Sequence, residues 1–564
     1  MAAVFTAAGV GACLSGGGGS PPPLDQLNFP VGLAVSKGGG VLYVANADFD
    51  LQYGGGTVQS YDLNQIRRDA LDVIAGDFED CARVDAGADA GPSRHCLALV
   101  HGMPTGCPGA PADGQPDDAG VRVPLGHSCA PPVKAAEYVR GAVVIGAFAT
   151  TAKLTPDGTR LFIPVRGTSA LTWADVVPDD PTKPPTAASF GIDCGQRTDG
   201  AQPTCNLGHL AGAAPSIESG NTRYVAMPGE PFGLAFTPDG TAAVVTHQSD
   251  TKVSLFSTGL GGGAKATPAL QYVLDGVPTG GIGVAAVPHA TCPAADCPPS
   301  VRPSFLLTSR SVAQLSLLRY YSDVGVNAAS SQLRPFLAQE QTFTITAAAS
   351  GTDSRGLVID PTPRAKCVAE VPPAGGTRTQ ADVDKDTAAC ARLPARVFIA
   401  NRTPASLLMG EIGGVRTDGA YDPDRLVLFG NMPLPAGPSN VYLAPIVDRD
   451  GRYALRVFVV CYDAQMVLVI DPDTRSLESL IVTAPGPFAM AFDPFDLDAV
   501  ARREKVPQDT RWPDRDLKRY RFAYVSSFLN SYIQVLDLDG SLADKSTFES
   551  VVFNLGAPTT PKGT

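Results

Sequence analysis

Six histidines, His95, His101, His127, His209, His247 and His289, are scattered through the chain, and only His247 holds a patterned place. It closes the apolar run that begins at Ala242. The matching place in six other runs of the chain holds Asn46, Arg166, Arg310, Asn401, Tyr462 and Ser527. All seven side chains are polar or amphipathic. Arg166, His247 and Arg310 fall on three successive runs, so together they would face an anionic ligand, since guanidinium groups bind carboxylate and phosphate oxygens through charge-assisted bonds. Acid/base chemistry would need a carboxylate or second imidazole beside His247. The aligned ring supplies neither, although Asp48, Asp250 and Asp463 lie near it in sequence, and no Gly-x-Ser-x-Gly occurs. The alternative account is structural: such positions are polar because they meet water or cap turns.

Two metal patterns need weighing. Asp382-x-Asp384-x-Asp386 alternates carboxylates as a calcium loop does. Thr387 stands where that loop has glycine, and its twelfth position is Leu393 instead of glutamate. Calcium at these three aspartates is the one cofactor the sequence offers. Cys292-x4-Cys297 has a tolerable zinc spacing, but no second pair or histidine cluster completes it.

The cysteines point to disulfides instead. With Cys13 and Cys461 set aside, ten of the twelve remain. Cys81, Cys96, Cys107 and Cys129 share one long insertion, with three possible pairings among them. Cys194 and Cys205, Cys292 and Cys297, and Cys367 and Cys390 share three others. Each long insertion thus carries an even number. A bridge restricts a long loop's unfolded freedom, by about 3 kcal/mol for a loop of a dozen residues, and implies an oxidising compartment. Cys461 lies in an apolar strand, as an inert buried thiol would.

The elements that must position these residues are short strands. Glu230 to Ser257 reads as three of them, with Pro238-Asp239-Gly240 as the turn between the first two. A lone meander of this size buries too little surface to stand by itself. Six further copies can be set in register with Gly233, on Gly32, Thr151, Gly283, Gly356, Asn440 and Ala489, and a fourth apolar run precedes the next copy. Four strands repeated seven times predict an all-β fold, a seven-bladed β-propeller of four-stranded antiparallel blades. Two β-sandwiches are the alternative, but sandwiches do not repeat one turn at matching positions. With strands a to d numbered from the inside, the long insertions fall only between a and b or between c and d. Those turns emerge on one side of an antiparallel blade, so the disulfide-pinned loops should crown one face. Asp62 to Ile74 and Leu497 to Lys505 read as short helices within them.

Leu42-Tyr43-Val44-Ala45-Asn46 followed by Gly56-Thr57-Val58, and Val397 to Asn401, resemble the YVTN-type propeller repeat. The likeness extends loosely over most of the chain, and the Trp-Asp signature of WD40 repeats is absent. It implies the architecture. Seven-bladed lactonases and quinoprotein dehydrogenases share that architecture, which gives the alternative function: a periplasmic hydrolase or lactonase-like enzyme using the ring around His247.

The N-terminus speaks to location. Ala2 to Ala12 is an apolar run of small residues ending at Cys13, and it resembles a bacterial lipoprotein signal, though no Lys or Arg precedes it. That resemblance implies a lipoprotein-type signal over residues 1–13 that ends at the lipidated cysteine, with the mature protein beginning at Cys13. Residues 14–27 would then be a Gly/Ser/Pro tether, 28–558 a single propeller and 559–564 a tail. A net charge of -12 argues against nucleic acid as partner, and no apolar run reaches the roughly 18–20 residues that span a bilayer. The expected protein is an exported module, lipid-anchored in the cell envelope on the periplasmic or outer surface. It would bind or scaffold a protein, a glycan or another envelope component.

Overall fold

The structure, a computed structural model, describes residues 19–75, 132–196, 202–261, 266–288, 302–322, 335–345, 353–506, 508–509, 517–518, 522–541 and 547–556. Seven sheets of antiparallel strands follow one another along the chain. Blade 3 shows the pattern. Its strands Pro231–Phe236, Ala242–His247, Lys252–Ser257 and Ala269–Asp275 pair in sequence order. The alternation read in the sequence is real, because each blade is covered on both faces by its neighbours. Val244 and Leu255 pack toward blade 4, Val245 and Phe256 toward blade 2.

The inner strands a are Pro30–Val35, Lys153–Leu154, Pro231–Phe236, Gly281–Ala286, Ser354–Asp360, Pro438–Val447 and Pro487–Phe492. They stand so close that the repeat's glycine has a steric cause. A Cβ on Gly233 would lie 2.1 Å from the Ile282 carbonyl oxygen of the next blade, and one on Gly283 would lie 2.2 Å from that of Arg355. The second strand ties the same junction. Thr246 Oγ1 accepts from the Gly233 amide at 2.8 Å and donates to the Ile282 carbonyl at 3.1 Å. Thr308 repeats this between Gly283 and Arg355.

Blade 2 departs most from the pattern. Its inner strand is two residues long, and its outer place is shared by Ile192–Asp193 and Leu210–Ala211, both paired with Ala170–Val176. The stretch between these two pieces crosses to blade 1, where the Val144 amide donates to the Pro203 carbonyl. Cys194 and Cys205 close that excursion in a disulfide.

The ring closes through the first insertion. Helix α1, Leu63–Ala75, begins at the expected place, with the Gln65 amide on the Asp62 carboxylate at 3.1 Å. Its Leu63, Ile66 and Ala70 pack with Phe522 and Phe553 of blade 7. Further along, Pro132–Val133 adds a parallel strand outside Ser550–Leu555. Residues 19–27 of the expected tether are laid against the ring: Ser20 bridges Tyr53, and Leu27 is buried in the core.

The insertions lie where the spacing placed them, between a and b in blades 4, 5 and 7 and between c and d in blades 1, 2 and 4. On the opposite rim the longest connections are 47–56 and 212–230. In blade 5 the insertion folds into α2, Thr362–Glu370, and α3, Gln380–Ala391, joined by the Cys367–Cys390 disulfide. In blade 7 it forms α4, Leu497–Ala501, shorter than anticipated because Arg503 turns left-handed at φ 51°. Two of the five expected bridges are thus present. Cys81, Cys96, Cys107, Cys129, Cys292 and Cys297 lie outside the described residues, as does Cys13. No described helix is long and apolar enough to cross a membrane.

Candidate functional site

Every blade is entered through a left-handed residue three places before its register position. These are Phe29, Phe148, Glu230, Gly280, Asp353, Gly437 and Gly486, with φ between 50° and 130°. Three are glycine, which adopts such angles without strain, and four are not. In all seven blades the carbonyl of this residue accepts an amide from just past strand b. The donors are Ala47, Arg166, Gln248, Arg310, Arg402, Tyr462 and Phe528.

That repeated bond fixes the true layers, and it corrects the anticipated ring. Strand pairing aligns Asn46, His247, Asn401 and Ser527 with Val165, Ser309 and Cys461. Arg166, Arg310 and Tyr462 are one residue further on. The seven residues first grouped by polarity therefore belong to two layers, and Arg166, His247 and Arg310 do not converge.

The inner of the two layers is buried throughout. Where its side chains are polar they hold the link into the same blade. Asn46 Oδ1 accepts the Asn28 amide, Ser309 donates to the Thr279 carbonyl, and Ser527 donates to that of Pro485. Asn401 meets Ser354 Oγ and the Pro404 carbonyl. His247 Nδ1 lies 2.8 Å from the Gly229 carbonyl, which can only accept, so Nδ1 carries the proton; Nε2 then accepts from Ser254 Oγ at 2.8 Å. Burial pushes this imidazole down to about 4. It is neutral at pH 7 with both nitrogens engaged, and no carboxylate touches it. Cys461 is free and buried, its thiol pushed up to about 12 by burial.

In the outer layer Arg166 pairs with Glu230 and lies over the Phe148 ring, and Arg402 pairs with Asp463. Beside them Phe29, Phe49, Phe148, Phe488 and Phe528 form one aromatic cluster. Glu230, Arg402 and these rings were not anticipated. Their signal in the sequence is their offset from the register residues, not their type.

The three aspartates of the calcium pattern are on a helix, not in a loop. Thr379 and Asp382 form a capping box, which starts α3 and turns the alternation into helix positions. Asp382 is spent on Thr379, Asp386 on Arg378, and Asp384 bonds Gln380. On the helix Asp382 and Asp386, four residues apart, share a face while Asp384 points to another side, so the three carboxylates do not converge. Among the described residues no group of three His, Cys, Asp or Glu is placed to hold a metal.

Next to these layers is the central channel, a concavity with a volume of about 610 Å³ and walls from the inner strands of all seven blades. Two residues beyond the register positions stand Ala34, Lys153, Ala235, Ala285, Val358, Tyr442 and Ala491, and all but Ala34 and Ala491 line the channel. Two small alanines and a valine line the channel there beside two large side chains. Tyr442 is on blade 6 and Lys153 on blade 2, across the ring. Lys153 is reached from the channel, desolvation by its surroundings pushes its ammonium down to about 8, and among the described residues it forms no ion pair.

No protein-family model matches the chain, and no curated protein matches it in sequence. Solved structures do resemble it at low identity. Hydrazine synthase of Kuenenia stuttgartiensis is 10% identical with a TM-score of 0.41, covering 91% of this chain and 96% of that one. A 6-phosphogluconolactonase, so described only putatively, from Bacteroides uniformis is 12% identical with a TM-score of 0.41, covering 81% and 86%. The periplasmic gluconolactonase of Pseudomonas aeruginosa is 13% identical with a TM-score of 0.40, covering 82% and 87%. At these values the likenesses carry no argument about activity, and the fold rests on the strand pairing of this chain itself.

Proposed function

We propose that the protein is an exported binding module, a divergent propeller of the YVTN type, tethered through Cys13 and presenting its insertion rim to a protein or glycan of the cell envelope. The observation that carries this reading is the placement of most of the extra chain between strands a and b or c and d. Blades 1, 2, 4, 5 and 7 all carry extra chain between strands a and b or c and d, and the blade 5 excursion is stapled at that rim by a disulfide, while the Cys194–Cys205 excursion runs along the outer edge to Val144 of blade 1. Bridges of this kind fit an oxidising compartment. Loops held on a rigid scaffold are where binding residues concentrate. The blade 5 hairpin adds partly exposed apolar groups there, Val368 and Leu393. The engagement of both His247 nitrogens counts against a hydrolase centred on that residue.

The experiment compares three immobilised proteins against an envelope extract: the native chain, a chain in which Thr362–Pro394 is replaced by a short Gly-Ser turn, and His247→Gln. The expected result is that partners held by the native chain and by His247→Gln are lost from the trimmed chain. Equal capture by the trimmed chain would overturn the rim as the binding face.

A further inference from the structure

Among the described residues that line the central channel, Lys153 is the only Asp, Glu, Lys, Arg or His. The rest of the wall is chiefly aliphatic and aromatic, including Val31, Leu234, Val284, Leu357 and Phe488. Volumes of about 300–1,000 Å³ with an apolar lining and few polar groups are those of small-molecule sites. A solvent-reached ammonium set against a largely apolar wall gives a ligand one point of opposite charge, and the wall takes its apolar body.

We propose that the central channel binds a carboxylate with a single extended apolar body, its carboxylate on the Lys153 ammonium and its chain along the inner strands. The level at which Lys153 stands suits this. Ala235 and Ala285 line the channel with small side chains there, and Phe488 carries the apolar wall on to the aromatic cluster at the mouth. The site is independent of the insertion rim, so a failure of either reading leaves the other standing.

The charge state of Lys153 sets the pH response. The inner strands beside it, Pro30–Val35 and Pro231–Phe236, carry no charge. Behind it Arg160 is tied to Asp175. In the flanking turns Asp157 and Asp239 are held by threonines, and Lys37 reaches the Pro156 carbonyl. Across the channel the Tyr442 hydroxyl is pushed up to about 12 by burial. Between pH 6 and 10 Lys153 is therefore the group that changes charge, losing its proton as pH rises through about 8.

The test titrates the full chain with dodecanoate and, as the uncharged comparison, dodecan-1-ol. Dodecanoate is expected to bind near pH 6 and to weaken by at least about tenfold near pH 10, while dodecan-1-ol binds equally at both. Lys153→Met is expected to show the same loss for dodecanoate near pH 6, and Lys153→Arg to keep most of the binding. Absence of dodecanoate binding to the native protein, binding with no pH dependence, or undiminished binding to Lys153→Met would each overturn the proposal. The pH comparison uses native protein alone, so it decides the matter even where a variant fails to fold.

Discussion

Arg67 and Asp493 stand 426 residues apart in sequence and meet in a buried ion pair, with Nη2 2.8 Å from Oδ1 and Nε 3.1 Å from Oδ2. Arg67 is on the helix inserted into the first blade. Asp493 follows the inner strand of the last blade and also accepts the Tyr524 hydroxyl at 3.1 Å. Among the described residues no strand of the first blade joins the sheet of the last, apart from the short Pro132–Val133 addition from the same insertion. This pair is therefore a principal polar tie across the ring closure. Arg67→Met leaves Asp493 buried with its charge unmatched, an expected cost of about 3–5 kcal/mol. Chemical denaturation of the variant checks this, and Arg67→Met with Asp493→Leu should recover part of the loss.

His247 makes the fold acid-sensitive. Its folded value of about 4 lies below the ordinary histidine value near 6.5. The unfolded chain takes up the proton first as pH falls, so the stabilisation is complete above about pH 6.5 and is lost progressively toward pH 4. The whole effect amounts to about 3 kcal/mol. His247→Gln keeps a polar group at the site without titrating there. A stability profile from pH 7 to pH 4 should be flatter in this variant than in the native protein.

Gly233 and Gly283 set how closely neighbouring blades approach. Because the atom in the way is a backbone oxygen of the next blade, Gly233→Ala cannot be accommodated by a side-chain rotation. A cost of about 2–3 kcal/mol or more is expected. Gly229, whose Cβ would meet nothing within 4 Å, serves as control. Gly229→Ala should change the melting temperature little by comparison.

The Cys367–Cys390 bridge staples the blade 5 hairpin, and its loss should act locally. Cys367→Ser with Cys390→Ser is expected to destabilise that hairpin by about 3 kcal/mol. Hydrogen exchange should rise in α2 and α3 and stay unchanged in the blade 5 strands Ala395–Arg402 and Ala405–Ile412. Faster exchange throughout the ring would show instead that the hairpin is part of the global fold.

The blades were legible because each signal is local: an alternating strand, a Thr-Pro-Asp-Gly turn, a glycine where inner strands touch. The polar ring was read one residue off in three blades. Val165, Ser309 and Cys461 are followed by Arg166, Arg310 and Tyr462, and matching on polarity slid to the larger side chain. The layer is defined by a backbone bond to a left-handed carbonyl, which makes no demand on side-chain type. At Asp382 a capping box three residues after Thr379 outweighed the carboxylate alternation. Lys153 was readable by counting two places on from Thr151, but its meaning required knowing that its level faces an open channel.

Lysine-reactive crosslinking in an intact envelope preparation tests the binding account most directly, because both rims carry a reporter. Lys366 and Lys385 are exposed on the blade 5 hairpin, while Lys252 begins strand c of blade 3 at the opposite rim. The account predicts partner peptides joined to Lys366 or Lys385. Partner peptides joined to Lys252, with none at the hairpin, would contradict it.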